Sequence, residues 1–260
     1  MKGMADLTDA QWEYVRPFVK WDEQQRQRPD RRGGRWSDAR RVLNGVLWIL
    51  RTGAPWHDLP TRYGSYQTCH RRFQQWQRAG VLDGILWALC EDLLARGQLG
   101  LEEAFIDASF MGAKKGAMAL VARSSAKGAI ADRHGLPIAL WVTSASPHEQ
   151  KLVETTLEHR FVADKPERLI GDKAYDSDAV VDRLAQQHGI ELIAPHRRYR
   201  TRRHRQDRRK LRRYKRRWKI ERFFAWLKNF RRLLVRWERH SNNFLGMVQL
   251  ACMLILLRRL

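Results

Sequence analysis

Apolar side chains recur at helical spacing from the start of the chain to about residue 95. Capping residues precede three of these runs, and Gly53 and Gly97 follow two of them as expected C-terminal signals. The polar stretch 24–35, rich in Arg, Pro and Gly, predicts a loop. The pattern predicts four helices: one with Trp12, Val15 and Val19 on its apolar face, one over 38–52, one from Ser65, and one over 81–96. We therefore expect an all-helical N-terminal module, 1–96.

The pattern changes after Gly100, where short apolar runs alternate with helical ones. Asp132-Arg133-His134-Gly135 is a turn signal between two strands. The predicted elements are a strand at 104–107, a hairpin over 128–142, a helix from Ser146, a strand at 168–171, a helix over 177–188, a strand at 190–194, and helix beyond about 207. This order is typical of a mixed α/β sheet flanked by helices, which we assign to a second domain, 100–260.

Two of the predicted strands end on acids, Asp107 and Asp172. Functional groups gather at the carboxyl ends of strands in α/β sheets, so the two carboxylates are expected to lie close together. Mg²⁺ prefers such oxygen ligands and would relieve the repulsion between them. Taken singly, each acid is equally compatible with a turn or a helix cap.

A third acid, Glu221, lies in a segment that we predict to be helical. At about 100° per residue, Tyr214, Arg217, Glu221 and Lys228 fall within an arc of roughly 60°. Apolar residues cover the neighbouring arc, so one stripe packs on the sheet and the other presents an acid flanked by cations. The alternative is an ordinary surface helix with a Glu–Lys ladder.

The formal net charge of +22 exceeds what solubility requires and indicates a polyanionic partner. Residues 196–219 hold fifteen Lys or Arg and one acid, Asp207, so this segment carries fourteen of those net charges. Nucleic acid is the favoured partner, because charges packed so densely repel unless an anion neutralises them. A membrane surface is the weaker alternative, and a solvated linker is the bland one.

The remaining composition points to an intracellular protein. The three cysteines, Cys69, Cys90 and Cys252, have no metal-binding or disulfide spacing and are expected to be reduced and buried. Acids at the N-terminus argue against a signal peptide, and the apolar run 244–257 is short for a membrane span. We expect most of the eleven tryptophans, including Trp12, Trp48 and Trp87, to be core residues, and treat Trp56 and Trp76 as candidate base-stacking platforms. His57 and His148 are interpreted as structural.

The spacing Tyr-x2-Arg-x3-Glu-x6-Lys at 214–228 resembles the signature of DDE transposases of the IS-four and IS-five type. The text around it resembles the IS-five family of bacterial insertion sequences over nearly the whole chain. The shared motifs are Leu7–Trp12, Gly33–Trp36, Gly53–Pro60, Arg72–Trp76, Ala104–Asp107, Ser144–His148, Leu169–Asp178, Ile193–Arg198, Asn229–Leu233 and Asn243–Gly246.

This resemblance implies an RNase H-like fold in which Asp107, Asp172 and Glu221 form the DDE triad. It implies two Mg²⁺ or Mn²⁺ ions on the triad, and DNA as partner, both at the element's inverted-repeat ends and at the target. It also implies a homodimer assembled on DNA in the bacterial cytoplasm, associated with the nucleoid. Phosphate contacts are expected from Tyr214, Arg217 and Lys228, and further DNA contacts from Lys173, Arg197 and Arg198.

One segment departs from the family pattern. Between Gly116 and Asp132 relatives usually carry a Gly/Lys-rich turn and a longer apolar strand, whereas residues 117–130 read as shortened and scrambled. We therefore expect the second strand to be damaged. Three hypotheses follow: an active transposase, a metal-dependent nuclease without strand transfer, and a non-catalytic DNA-binding remnant.

Overall fold

The computed structural model describes residues 6–25, 37–112, 124–144, 149–198, 207–235 and 237–260. Its α-helices are α1 (Asp9–Gln25), α2 (Ala39–Thr52), α3 (Tyr66–Arg78), α4 (Val81–Ala95), α5 (Glu149–Glu158), α6 (Asp178–His188), α7 (Arg208–Leu211), α8 (Trp218–Lys228) and α9 (Ser241–Leu256). Its strands are β1 (Ala104–Gly112), β2 (Ser124–Ala131), β3 (Pro137–Ser144), β4 (Arg168–Ile170) and β5 (Glu191–Ile193). Short 3₁₀ turns lie at Trp56–Asp58, Thr61–Tyr63, Lys173–Tyr175, Arg212–Arg216, Arg231–Leu233 and Leu257–Arg259.

The chain divides into two compact units. One contains residues 1–89 together with 227–258 and 260, and the other contains residues 90–226 together with 259. This division differs from the predicted boundary at 96–100, because the C-terminal residues 227–258 fold with the N-terminal helices rather than with the sheet. The physical reason is that α9 is apolar on every side and buries nearly all of its residues in the helical unit.

The helical unit forms where the sequence predicts caps and apolar stripes. Asp38 accepts a hydrogen bond from the Arg41 amide to begin α2, and Gly53 ends that helix in the left-handed conformation at φ 70°. Ser65 caps α3 in the same way as Asp38.

Helix α9, with three further residues to Arg259, is the one described stretch long and apolar enough to cross a membrane, but it is mostly buried as a core helix. The three cysteines are buried as predicted, and burial raises the pKa of Cys69 to about 11.

The second unit is built on a five-stranded sheet in the order β3-β2-β1-β4-β5. The strands β1, β2 and β3 pair antiparallel, whereas β1–β4 and β4–β5 pair parallel. Each parallel crossover uses a helix, α5 before β4 and α6 before β5. The predicted mixed sheet and its order of elements are confirmed.

Two predictions about the chain after Gly100 are wrong. Over the described part of segment 117–130, residues 124–130 belong to strand β2, which pairs with β1 from Ser124 to Ala131 and with β3 from Ser125 onward, with a register shift between Ile130 and Ala131. The residues at 117–123 lie outside the described ranges, as does the predicted helix start at 146–148. The region beyond 207 is not continuously helical, because 3₁₀ turns at Arg212–Arg216 and Arg231–Leu233 flank α8.

Candidate active site

Asp107 lies in the middle of β1, not at the end of a strand as predicted. The strand continues to Gly112 because β2 supplies hydrogen-bonding partners for this extension, with Asp107 opposite Ala129. On its other side β1 pairs with β4 only at Ala104 and Phe105, opposite Leu169 and Ile170. Asp107 therefore lies two residues beyond the end of the pairing between β1 and β4. We call this position, where β1 continues and β4 has ended, the sheet step.

Asp172 follows β4 at that same step. Continuing the register of β1 and β4 by two residues brings Asp172 level with Asp107. Gly171 precedes it, and a Cβ there would lie 2.7 Å from the ring of Tyr175 and 3.2 Å from Ile106, so only glycine lets the chain pass. The Asp172 carboxylate caps the following 3₁₀ turn by accepting a hydrogen bond from the Ala174 amide at 2.8 Å.

Glu221 is in the first turn of α8, and Arg217 lies just before that helix. The Arg217 guanidinium donates to Asp107 Oδ2 at 2.6 Å through Nη2 and to Glu221 Oε1 at 3.0 Å through Nη1. We call these two ion pairs the Arg217 bridge. Tyr214 belongs to the 3₁₀ turn and Arg217 lies between that turn and α8, so the predicted continuous helical arc is wrong at its first two residues.

Burial and charge act in opposite directions on the bridged groups. Desolvation raises the pKa of Asp107, the Arg217 charge works against that rise, and the charges of Asp172 and Glu221 add to it. Burial lowers the pKa of Arg217, but Asp107 and the other nearby acids outweigh it and the net direction is upward. All three acids therefore act on one cation, which keeps their negative charges tolerable in a partly buried place.

The donor chemistry of this place suits a divalent metal ion. Two carboxylates already share one cation, and a third carboxylate is near enough to affect both members of the buried pair. Within the described ranges, no three His, Cys, Asp or Glu side chains lie close enough together to hold a metal ion. The Arg217 guanidinium lies between the carboxylates of Asp107 and Glu221.

The other predicted DNA contacts lie in different surroundings. Arg197 turns toward the loop after Asp172, donating to the Lys173 carbonyl at 3.2 Å and the Ala174 carbonyl at 3.0 Å. Its own amide donates to the Asp176 carboxylate, which also contacts His196. Lys173 and Arg198 are exposed, and Lys228 is exposed at the last residue of α8. Arg197 therefore supports the Asp172 loop in this structure.

Glu103 is a supporting residue that sequence reasoning missed. Its side chain is 8% exposed and pairs with Arg216 at 2.6 Å and Arg213 at 3.4 Å. This contact ties the basic 3₁₀ turn to the start of β1, four residues before Asp107. An acid preceding an apolar strand is the single signal in the sequence, and it does not reveal a buried partner.

Asp132 is a second missed residue, although its turn was predicted. The fully buried carboxylate accepts hydrogen bonds from the amides of Gly100, His134 and Leu136 at 2.7–3.0 Å. Burial raises its pKa, and these backbone hydrogen bonds work against the rise. The turn it organises receives Lys219 on the Arg133 carbonyl and Arg222 on the His134 carbonyl. Asp132 thereby fixes the helix that carries Glu221.

Replacing Asp132 by Asn is expected to lower the free energy of unfolding by about 1–3 kcal/mol. Asn retains an oxygen for His134 and Leu136, but its amide nitrogen would face the Gly100 N–H, which then has no acceptor. Urea denaturation measures the change, with exposed Asp164→Asn as the matched control. Equal stabilities for the two variants would contradict this role.

Some of the predictions about tryptophan burial agree with the structure and others do not. Trp12 is buried as expected, but Trp87 is 44% exposed and the core assignment is wrong there. Trp76 is 1% exposed, which rules it out as a stacking platform, because it lies on the buried face of α3 with Cys69 and Phe73. Trp56 is half-buried against His70 and Phe73. His57 contacts Asp58, and His148 lies outside the described residues.

Comparison with known proteins gives two family matches that together cover most of the chain. Residues 7–86 match a family described as "Putative transposase of IS4/5 family", and residues 78–256 match one described as "Transposase DDE domain". The chain is 38% identical over 86 residues to "Uncharacterized protein y4sN" of Sinorhizobium fredii, covering 33% of this chain and 64% of that protein. It is 34% identical over 106 residues to "Insertion element IS402 uncharacterized 16.2 kDa protein" of Burkholderia cepacia, covering 40% of this chain and 70% of that protein.

Proposed function

Because the chain belongs to the family of transposases with a DDE domain, we propose that it cuts DNA at the ends of an insertion sequence and joins those ends to target DNA. The observation that carries the proposal is the Arg217 bridge, where Asp107 and Glu221, 114 positions apart in the sequence, share one cation at the sheet step beside Asp172. Carboxylates remote in sequence gather in this way where a cation-dependent reaction needs them.

In this proposal Asp107, Asp172 and Glu221 hold Mg²⁺ or Mn²⁺, with two ions expected by family resemblance. When bound, the metal supplies Lewis-acid stabilisation to phosphoryl oxygens and activates the attacking oxygen. Asp107 contributes a rigid ligand, because its strand is hydrogen-bonded on the β2 side. Glu221 contributes a solvent-exposed ligand, with 58% of its side chain exposed.

The chain's other residues orient the DNA. Tyr214 and Arg217 precede Glu221, Lys228 follows it on α8, and all three are proposed to hold phosphates. Lys173 and Arg198 are proposed as further DNA contacts. The reaction is an in-line displacement at phosphorus, first by water and then by the DNA 3′-hydroxyl. It needs no covalent enzyme intermediate, so the buried cysteines stay outside the chemistry.

DNA affinity is expected to fall by about a thousandfold between about 50 and 200 mM salt, if six or more phosphates are neutralised. The reason is that the basic segment 196–219, when it neutralises phosphates, releases the cations that were condensed on the DNA. Fluorescence anisotropy with a short duplex measures it. The triple variant R208Q/R209Q/R212Q removes three exposed charges of that segment and should lower the slope of log affinity against log salt by up to about 3. A slope that the variant leaves unchanged would contradict contact by this segment.

Incubation with element-end DNA and a supercoiled target tests the proposal as a whole. A transposase nicks the end in a metal-dependent manner and joins it to the target. Nicking without joining identifies a nuclease, and binding without nicking identifies the DNA-binding remnant. The pairing of β2 with both β1 and β3 supports the active alternative over the remnant. The RNase H-like fold, the homodimer on DNA and the cytoplasmic, nucleoid-associated location are part of the same proposal, and rest on the family.

A further inference from the structure

The Arg217 bridge joins the half-buried Asp107 of β1 to the exposed Glu221 of α8. The Arg217 side chain is 18% exposed and Asp107 16%, whereas Glu221 is 58% exposed. The pair with Asp107 lies in a poorly solvated place, where removing the cation alone would leave an uncompensated charge. The pair with Glu221 lies in water, where it adds little to stability. The guanidinium is therefore held more strongly by Asp107 than by Glu221.

Arg217 is incompletely satisfied in this position. Its Nη1 and Nη2 atoms are used by the two carboxylates, but its buried Nε has no acceptor among the residues that the structure describes. Buried N–H groups of permanently structural side chains are nearly always paired. A phosphate offers several oxygens that match the planar guanidinium fork, so it would satisfy this side chain more fully than the present arrangement does.

A metal ion and the guanidinium cannot occupy the same carboxylate oxygens together. Both are cations, and at a separation of a few ångströms in a partly buried place they repel strongly. Metal entry therefore requires Arg217 to leave Asp107, and a nearby phosphate is the anion that could receive it. Asp172 and Glu221, whose charges also act on Arg217, favour whichever cation is present.

We infer that Arg217 is an exchangeable occupant of the metal site: it neutralises Asp107 and Glu221 in the metal-free protein, and it transfers to a DNA phosphate when metal binds. This inference rests on the proposed function, since it takes the triad as the metal site. The exchange makes metal binding and DNA binding mutually favourable. A DNA phosphate that binds Arg217 frees the carboxylates for metal, and a metal ion that binds the carboxylates frees Arg217 for phosphate. Free protein would be poorly loaded with metal and would thereby be protected from indiscriminate cleavage.

Binding of Mn²⁺ to the DNA-free full chain tests the exchange, followed by the electron paramagnetic resonance signal of free Mn²⁺. Arg217→Gln removes the competing charge and is expected to tighten Mn²⁺ binding by about tenfold or more. Lys215→Gln removes an equal charge from an exposed position two residues away and should change the affinity by less than about twofold. Arg217→Lys keeps the charge, but its single ammonium cannot bridge two carboxylates so well, and it should give an intermediate affinity.

Two results separate the inference from the proposed function. If Asp107→Asn binds Mn²⁺ as tightly as the unaltered protein does, the triad is not the metal site, and the proposed function fails with it. If Asp107→Asn abolishes binding but Arg217→Gln binds Mn²⁺ equally or more weakly, the triad holds and the exchange is wrong. Arg217 would then position the carboxylates for the metal. Circular dichroism checks that each variant folds. If Arg217→Gln does not fold, the Mn²⁺ affinity of Arg217→Lys is used for the test instead.

Discussion

Replacement of Asp107, Asp172 or Glu221 by the corresponding amide is expected to reduce metal-dependent cleavage of element-end DNA by about a thousandfold or more. Metal coordination contributes several kcal/mol of transition-state stabilisation, and each 1.36 kcal/mol is about tenfold in rate. Amides keep the size of the side chain but lose the charge that holds a divalent ion. The measurement is single-turnover nicking of a labelled end, with DNA affinity measured in parallel by anisotropy.

The parallel binding measurement is what makes this prediction specific. The three variants should bind DNA as well as the unaltered protein or slightly better, because each removes a negative charge that faces phosphate. Asp164→Asn, an exposed change in the same compact unit, should leave cleavage unchanged. Retained cleavage in any one of the three variants would remove that residue from the triad. Loss of both binding and cleavage would indicate misfolding, which circular dichroism detects.

The largest expected effect on stability is at Glu238. In the helical unit, Arg232 Nε and Glu238 Oε1 pair at 2.7 Å, with side chains only 6% and 4% exposed. Arg232 also donates to the Ala54 carbonyl at 3.0 Å and lies 5.9 Å from the Trp237 ring centroid. Glu238→Gln leaves Arg232 charged and buried without its counter-ion, which is expected to cost about 3–5 kcal/mol in the free energy of unfolding.

Two comparisons isolate that effect in denaturant unfolding. Glu13→Gln breaks an exposed pair with Arg16, whose side chains are 54% and 46% exposed, and should cost less than about 1 kcal/mol. The double variant R232M/E238L removes both buried charges and should recover most of the loss, because no unpaired charge remains. A Glu238→Gln protein as stable as the Glu13→Gln protein would show that the buried charge is relieved in another way.

The helical caps and the order of helices and strands along the chain could be predicted because they depend on neighbours in the sequence. Asp38, Ser65 and Gly53 act within a few residues of their own positions, and each stands where the pattern placed it. The turn at Asp132–Gly135 is local in the same sense. Glu103 and the Asp132 carboxylate were missed, because their partners lie on segments that the sequence does not place beside them.

The placement of Asp107 shows where local pattern fails. Its apolar run ends at Ile106, so the sequence predicts a strand that ends on Asp107, but β2 supplies partners that prolong the strand to Gly112. Tyr214 fails for a related reason, since the Glu103 contact with Arg213 and Arg216 accompanies a 3₁₀ turn where an isolated sequence favours a continuous α-helix. In both cases a long-range partner outweighs the intrinsic preference of the segment.

The sequence by itself determined the helical N-terminal region, the order of elements in the mixed sheet, the concentration of positive charge before α8, and the three acids as candidates. These properties follow from spacing, capping and composition, which act over short stretches of chain. Only the tertiary structure decided that α9 folds with the N-terminal helices and that Arg217 lies between Asp107 and Glu221. Burial and charge neutralisation depend on which distant segments meet, so no local pattern contains them.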